Sequence, residues 1–293
     1  MADIDITVIV VNYNAGHFLK TCLHSVLPQV NQVVVVDNAS ADKSIAECMQ
    51  CFQQEKKVQF ILNKDNLGFA SACNIGLKEV TGTHVLFLNP DCYLEKDTVA
   101  SLMKQLLVDE TVGMVGGRLV NTDGTEQAGG RRAIPTPWRA FTRAFGLYKL
   151  SSRWPRLFFD YNLHEQVLPL KPVAVEAISG ACMLVSTEAI SDVGLWDEQY
   201  FLHCEDLDWC MRFRQKGWKI MFDPSVQITH ALGVCSKARP VFVEWHKHKG
   251  MIRFYRKFFR QQYSGVLMLL ITLGVWLHFC LAASYRTVKQ LGS

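Results

Sequence analysis

Two groups of carboxylates and one histidine are spaced so that a hard cation and a proton acceptor could be assembled from them. The run His84-Val85-Leu86-Phe87-Leu88 is apolar and breaks on Asn89-Pro90-Asp91. Proline has no N–H to give a strand ladder, so the strand ends there and delivers Asp91 to the edge of a sheet. In open α/β sheets, ligands bind just beyond the strand ends. A carboxylate at that place suits a hard divalent cation, and such a cation commonly carries a phosphate. Glu205-Asp206-Leu207-Asp208 opens a second candidate region. Acids in a first helical turn are favoured by the helix dipole, but three within four residues exceed what capping needs. An ionised carboxylate that reaches a hydroxyl can serve as a general base. His230, after the strand-like run Val226-Gln227-Ile228-Thr229, is a candidate further metal ligand.

Weaker signals stand nearby. Asp37 ends an apolar run and is followed by Asn38. A carboxylate there can accept from a pyrimidine N3–H or a ribose hydroxyl, and the same pair also makes an ordinary turn. Asn63-Lys64-Asp65-Asn66-Leu67-Gly68 lies between a strand and a helix. Gly68 permits close backbone approach, and the helix start behind it can help hold a phosphate.

The elements that must position these residues follow from periodicity. Residues 4–11 and 32–36 are β-branched apolar runs of the kind buried on both faces of a parallel sheet. Phe18, Leu19, Cys22, Leu23, Val26 and Leu27 recur between them at helical spacing, and Pro28 closes that helix. Helices are predicted near 42–55, after Gly68 and near 97–107, with strands over 57–62 and 84–88. This alternation predicts a doubly wound α/β sheet. The first turn reads Asn12-Tyr13-Asn14-Ala15-Gly16, not the G-x-G-x-x-G of a dinucleotide site. Residues 120–170 show no period and include Gly129-Gly130-Arg131-Arg132, which predicts a long irregular insert of the lid or binding-loop type. Regular structure is expected again over 173–186, in a helix over 206–216 closed by Gly217, and in a short strand over 218–222.

Length and composition describe one large cored domain with an appendage: 293 residues, 49% hydrophobic, 20% charged. Lys237–Arg260 holds eight Lys or Arg and one acid, Glu244, a local +7 within a chain of net +4. The remainder is therefore −3, which argues against a general nucleic-acid binder. Phe242, Trp245, Ile252, Tyr255 and Phe259 sit among those charges and predict an amphipathic helix over 240–259. Residues 261–285 then carry no Asp, Glu, Lys or Arg. That is long enough to cross a bilayer, with Tyr263, Trp276 and Tyr285 suited to its interfaces. The expectation is a membrane contact, either spanning or surface-lying. The amphipathic helix could equally serve a homo-oligomer contact. Ten cysteines without paired metal spacing, and an N-terminus entering a strand without a basic leader, predict a reducing, cytoplasmic setting without a secretory signal.

In this order the motifs resemble glycosyltransferase family 2, rhamnosyltransferase-like, with the GT-A fold. Val8-Ile9-Val10-Val11-Asn12-Tyr13-Asn14 resembles the opening strand, and Val36-Asp37-Asn38-Ala39-Ser40 the base-binding turn. Asn66-Leu67-Gly68-Phe69-Ala70 with Asn74, and Asn89-Pro90-Asp91, resemble the next two motifs. Ser179-Gly180-Ala181, Gly194-Leu195-Trp196-Asp197-Glu198 and Phe201 resemble the acceptor-side segment, and Glu205-Asp206-x-Asp208 the motif with the catalytic base. The resemblance covers roughly residues 5–235. It implies a doubly wound, mostly parallel GT-A domain over 1–236, then a basic amphipathic helix and membrane-associated segment over 237–293.

By the same resemblance, Asp91 and His230 would hold Mg2+ or Mn2+ on the donor diphosphate. Asn12, Tyr13, Asp37, Asn38, Asn66, Gly68 and Asn89 would line the nucleotide-sugar site. Asn89 replaces the first acid of the common DxD and supplies no charge. Gly180, Trp196, Asp197 and Phe201 would face the acceptor. Asp206, preferred over Glu205 by motif position, would take the proton from the acceptor hydroxyl with inversion at the anomeric carbon. The implied donor is a dTDP- or UDP-sugar, with rhamnose the sugar suggested by the rhamnosyltransferase-like motifs, and the implied acceptor a lipid-linked glycan at the cytoplasmic face of the inner membrane, in cell-surface polysaccharide synthesis. The Gln-x-x-Arg-Trp motif of processive synthases is not found, so a single addition is expected. Two alternatives are a sugar-1-phosphate nucleotidylyltransferase, whose Gly- and Arg-containing first loop Asn12–Gly16 does not match, and a non-catalytic membrane scaffold, which would have lost Asp91 or Asp206.

Overall fold

The computed structural model describes residues 5–231 and 239–291. Its first half alternates as predicted: β1 (Ile6–Asn12), α1 (His17–Val26), β2 (Gln32–Asp37), α2 (Ser44–Cys51), β3 (Val58–Leu62), α3 (Phe69–Leu77) and β4 (His84–Leu88). These four strands are parallel in the order β3-β2-β1-β4. Every residue of β1 is buried, as expected of a strand covered on both faces. From β1 the chain winds outward to β2 and β3, then returns to β4 on the other side. The ends of β1 and β4 therefore flank the place where the winding reverses, which is where an open α/β sheet leaves a crevice. Helix α2 is shorter than the 42–55 span expected. It starts where Asp42 Oδ1 accepts from the backbone N–H (3.1 Å) and hydroxyl (2.5 Å) of Ser44.

The second half is mixed. It comprises β5 (Cys92–Leu94), α4 (Thr98–Leu106), β6 (Val112–Val120), β7 (Arg131–Arg132), α5 (Pro137–Ala144), β8 (Val173–Ala174), β9 (Ala177–Ile178), β10 (Cys182–Ser186), α6 (Thr187–Val193), α7 (Glu205–Gln215), β11 (Lys219–His230), α8 (Pro240–Phe259) and α9 (Gly265–Leu291). Strand β10 inserts antiparallel between β4 and β6. β6 and β11 are parallel, while β5 and β8 run antiparallel to β11. The uninterrupted parallel order predicted from the first half thus ends at β4, and beyond it β6 and β11 are the parallel pair in a mixed sheet. The strand expected over 218–222 is the start of a twelve-residue strand that runs on to His230. It survives Pro224 through a register shift between Asp223 and Gln227. Asp223 Oδ1 closes that bulge by accepting from the Ser225 N–H (2.9 Å) and hydroxyl (2.6 Å).

Two apolar clusters cover the two faces of the sheet, one under α1 and α4, the other under α3, α7 and α8. Phe254, Tyr255 and Phe259 of α8 and Met268 of α9 belong to the second, so the C-terminal helices pack on the same face of the sheet as α3 and α7. The domain boundary expected at 236–237 lies outside the described residues.

One contact joins the nucleotide-side loops to the far wall. Gly68 adopts φ +84°, and a Cβ there would lie 2.5 Å from the Phe201 carbonyl oxygen. The same carbonyl accepts from Phe69 N–H at 3.0 Å. Gly68→Ala should therefore cost about 2–4 kcal/mol, through left-handed strain and overpacking together. Urea unfolding measures this, and an unchanged midpoint would mean that these two loops are not in contact.

Candidate active site

Asp91 follows β4, and pairing of β5 with the end of β11 places Cys92 opposite His230. Both Asp91 and His230 are buried, with His230 Nε2 3.1 Å from Asp91 Oδ1. The ring orientation is fixed from behind. Gln127 Nε2 donates to Asn121 Oδ1 (3.0 Å) and to the His230 carbonyl (3.2 Å), which leaves Gln127 Oε1 facing His230 Nδ1 at 2.6 Å. An amide oxygen only accepts, so Nδ1 carries a proton and Nε2 is the nitrogen turned to Asp91. Asn89 Nδ2 lies 3.4 Å from that same Nε2. Nε2 and Asp91 Oδ1 thus face each other across 3.1 Å, an arrangement that a cation or a proton between them stabilises. The pair fits a divalent cation with one nitrogen and one oxygen donor. Cys92 is close enough to be a third candidate. Its thiol instead approaches the Ala181 carbonyl at 3.4 Å, and burial holds it well above its ordinary pKa.

The nucleotide-side residues lie at the ends of β1, β2 and β3. Asn12 Nδ2 donates to Asp37 Oδ1 at 2.7 Å and to the hydroxyls of Ser40 and Ser44. Asp37 also accepts from the Ser40 hydroxyl (2.6 Å) and N–H (3.0 Å). Asn38 Nδ2 donates to the Gly68 carbonyl at 3.1 Å, and Asn66 Oδ1 accepts from Gly68 N–H at 3.0 Å. Tyr13 is half-buried in the loop after β1. These contacts wire three strand-end loops into one rim, and Asp37 Oδ2 keeps acceptor capacity beyond its single bond.

The second acidic group sits at the start of α7, and its three carboxylates have different surroundings. Asp206 pairs with Arg132 and accepts from Gly180 N–H at 3.4 Å. Glu205 is buried, and its Oε2 has no hydrogen-bond partner. Burial, and then the Asp206 charge, push its carboxyl well above the ordinary range. Asp208 is fully buried against Arg212 (2.7 Å) and Lys257 of α8 (2.6 Å), so it braces helices and does not face the site.

Residues 178–181 connect the two acidic centres. Asn89 N–H donates to the Ala181 carbonyl at 2.8 Å, and Gly180 touches Asp206. Among the acceptor-side candidates, Gly180 lies at this junction and Phe201 is partly exposed beside His246, ring centroids 4.4 Å apart. Trp196 is buried among Phe69, Phe87 and Trp209. Asp197 is engaged by Arg253 (2.7 Å) and Lys257 (2.8 Å) of α8. Hydrogen bonds from these two cations hold its carboxyl low, at about 2, against the opposing effect of desolvation.

Gln127 and Arg132 were not identified as site residues from sequence, because they fall in the aperiodic stretch after 120. A usable signal was present in Asp123-Gly124. Gly124 has φ +82°, and Asp123 Oδ1 accepts from Thr125 N–H at 2.9 Å. Asn121 and Thr125 then pair (2.9 Å), and Gln127 N–H returns to the Leu119 carbonyl (2.8 Å). That turn folds residues 126–132 back over the strand ends.

A doubly wound sheet with a buried carboxylate and histidine at its switch point, and an acid pair across the crevice, is the arrangement expected of a GT-A glycosyltransferase. Residues 7–170 match Glycosyl transferase family 2, and the chain belongs to that family. It is 26% identical over 221 residues to a low-salt glycan biosynthesis hexosyltransferase of Haloferax volcanii, covering 74% of this chain and 64% of that protein. It is 26% identical over 244 residues to the N-acetylglucosaminyl-diphospho-decaprenol L-rhamnosyltransferase of Mycobacterium tuberculosis, covering 78% and 76%. Among solved structures, the mannosyltransferase PcManGT from Pyrobaculum calidifontis with GDP-Man and Mn2+ superposes with TM-score 0.59 at 18% identity, covering 97% of this chain and 73% of that one. GalNAc-T7 with UDP, GalNAc and Mn2+ superposes with TM-score 0.58 at 17% identity, covering 78% and 44%. These two likenesses establish the fold.

Two outcomes are expected. Gln127→Leu frees the His230 ring and should weaken Mn2+ binding about 10–100-fold, whereas Gln127→Glu, which still accepts from Nδ1, should retain most of it. Calorimetric Mn2+ titration of both variants decides, and equal losses would remove Gln127 from its orienting role. The second concerns Glu205, whose carboxyl is raised in the folded chain above the ordinary 4.5. The folded state then keeps a proton that the unfolded chain releases, so this stabilisation is complete at low pH and is lost as pH climbs from about 5 to 8. Glu205→Gln should flatten that decline in thermal melts across the range; superimposable pH profiles would place the carboxyl in water.

Proposed function

We propose that this chain is an inverting, metal-dependent, single-addition glycosyltransferase that moves a sugar from a nucleoside-diphosphate donor to a hydroxyl of a lipid-linked glycan. The observation that carries the proposal is the facing pair of Asp91 Oδ1 and His230 Nε2, 3.1 Å apart at the switch point. A divalent cation, Mg2+ or Mn2+, held there would offset the charge that develops on the departing nucleoside diphosphate. The strand-end rim of Asn12, Tyr13, Asp37, Asn38, Asn66 and Gly68 would receive the nucleotide, with Asn89 beside the metal pair.

Asp206 is the better base of the two acids. Its carboxylate is partly open and ion-paired, whereas Glu205 is buried and favours its protonated form. As the acceptor oxygen bonds to the anomeric carbon, its proton passes to Asp206 and the bond to the diphosphate breaks on the opposite side. Arg132 must yield part of its hold on Asp206 when the acceptor hydroxyl arrives. Gly180 and Phe201 would border the acceptor, with Trp196 and Asp197 supporting that wall from behind. Rhamnose as the sugar, and a diphosphate lipid as the acceptor carrier, are supported by the similarity to the mycobacterial N-acetylglucosaminyl-diphospho-decaprenol L-rhamnosyltransferase. The apolar α9 supports a place at the membrane, read here as its cytoplasmic face.

Calorimetric binding of UDP and dTDP, with and without Mn2+, tests the reading. One of the two nucleotides should bind with metal dependence, and Asp91→Ala should abolish that dependence. Asp206→Asn should keep nucleotide binding while transfer falls about a hundredfold or more. Absence of nucleotide binding by folded protein would overturn the proposal, and equal loss of binding in Asp206→Asn would remove Asp206 as the base.

A further inference from the structure

Helix α9 has the length and composition of a membrane span over Gly265–Val288, yet it does not stand clear of the protein. It runs back along α8. At its start Met268 is buried in the cluster that holds Tyr255 and Phe259. Midway, the Trp245 and Trp276 rings lie 4.8 Å apart and His248 Nε2 meets His278 Nδ1 at 2.8 Å. Near its end Arg286 Nη2 reaches Glu244 Oε1 at 2.6 Å. Contacts at 268, 276, 278 and 286 make this a lengthwise antiparallel packing. Helix α8 is pinned in turn to the catalytic half, through Lys257 on Asp208 and Arg253 on Asp197.

The face of α9 turned away from α8 is apolar and uncovered. Val266, Leu270, Leu273, Leu277, Leu281 and Val288 recur at helical spacing, each more than half exposed. On the helix that α9 packs along, Lys249 and Arg256, with Arg260 at its C-terminal end, are exposed and, seven and four residues apart, share one side. A bilayer enclosing α9 would also enclose α8 and these cations, which hydrocarbon disfavours strongly. An anionic leaflet meets both features at once, with acyl chains against the leucine stripe and headgroups against the cations.

We propose that α8 and α9 form a hairpin that seats the protein on one anionic leaflet, with α9 lying in the membrane plane and not crossing it. This deepens the membrane clause of the proposed function, and it would hold the donor crevice at a set height above a lipid-linked acceptor.

The test uses the full chain and preformed vesicles of phosphatidylcholine, with or without phosphatidylglycerol. Wild type should float with the anionic vesicles, less so as salt rises. Leu273→Glu with Leu277→Glu should weaken flotation at least about a hundredfold, and charge reversal at Lys249, Arg256 and Arg260 by a similar factor on anionic vesicles alone. A C-terminal tag should be cut by protease added outside the vesicles. Protection of the tag would mean that α9 crosses, and would overturn the proposal. So would unchanged flotation of the leucine variant, or a wild-type dimer in solution that the leucine variant converts to monomer, which would assign the stripe to a second copy. Nucleotide binding is read in the same samples. Its absence in protein that floats sinks the transferase reading and leaves the hairpin standing, while its retention in variants that no longer float confines the defect to the hairpin.

Discussion

The hydrogen bond from His230 Nδ1 to Gln127 Oε1, 2.6 Å long and buried, is the interaction on which the rest of the site depends. It holds a proton on Nδ1 of His230, and so leaves Nε2 as the nitrogen turned to Asp91, where a cation or a proton can sit. Gln127 holds this orientation because both of its amide protons are already committed, to Asn121 and to the His230 carbonyl. Five residues further on, the same segment supplies Arg132 to Asp206. A short return of chain after β6 therefore organises both ends of the crevice. Its backbone is secured by Ser179 N–H on the Gly130 carbonyl at 3.0 Å and by pairing of β7 with β9.

The first turn of α7 shows how environment divides identical chemistry. Three carboxylates lie within four residues, and all three are favourably placed at a helix N-terminus. Asp208 is withdrawn completely and satisfied by two cations, so it acts as a tie between α7 and α8. Glu205 is withdrawn without such partners, and its charge is disfavoured. Asp206 stays at the surface of the crevice with an arginine beside it. Pairs of acids whose surroundings drive them apart are a common basis for dividing roles at a reaction centre.

Helix α8 links these events to the C-terminal segment. One side carries Arg253 and Lys257 to Asp197 and Asp208, both near the site. The opposite side carries Glu244, Trp245 and His248 to α9. Helix α8 thus ties α9 to the first turn of α7 through Lys257 and Asp208.

Elements set by local pattern were legible from sequence. The β-branched runs, the helical spacing from Phe18 to Leu27, the proline after Asn89 and the acids opening α7 all act within a turn or a strand, and α/β winding followed from their order. The resemblance of six motifs in order added the family, and with it the particular roles expected of Asp91, Asp206 and His230, which spacing alone had already singled out. Interactions between distant segments were not legible. Strand β11 passes a proline because of its bulge, β10 enters antiparallel between β4 and β6, and Gln127 lies in an aperiodic stretch 103 residues before the histidine it orients. The apolar composition of 265–288 is the same whether that helix crosses a bilayer or lies along one. Composition sets how much surface must leave water, whereas only the tertiary structure lays α9 lengthwise on a charged and anchored α8, because that packing joins residues such as His248 and His278 that are distant in sequence.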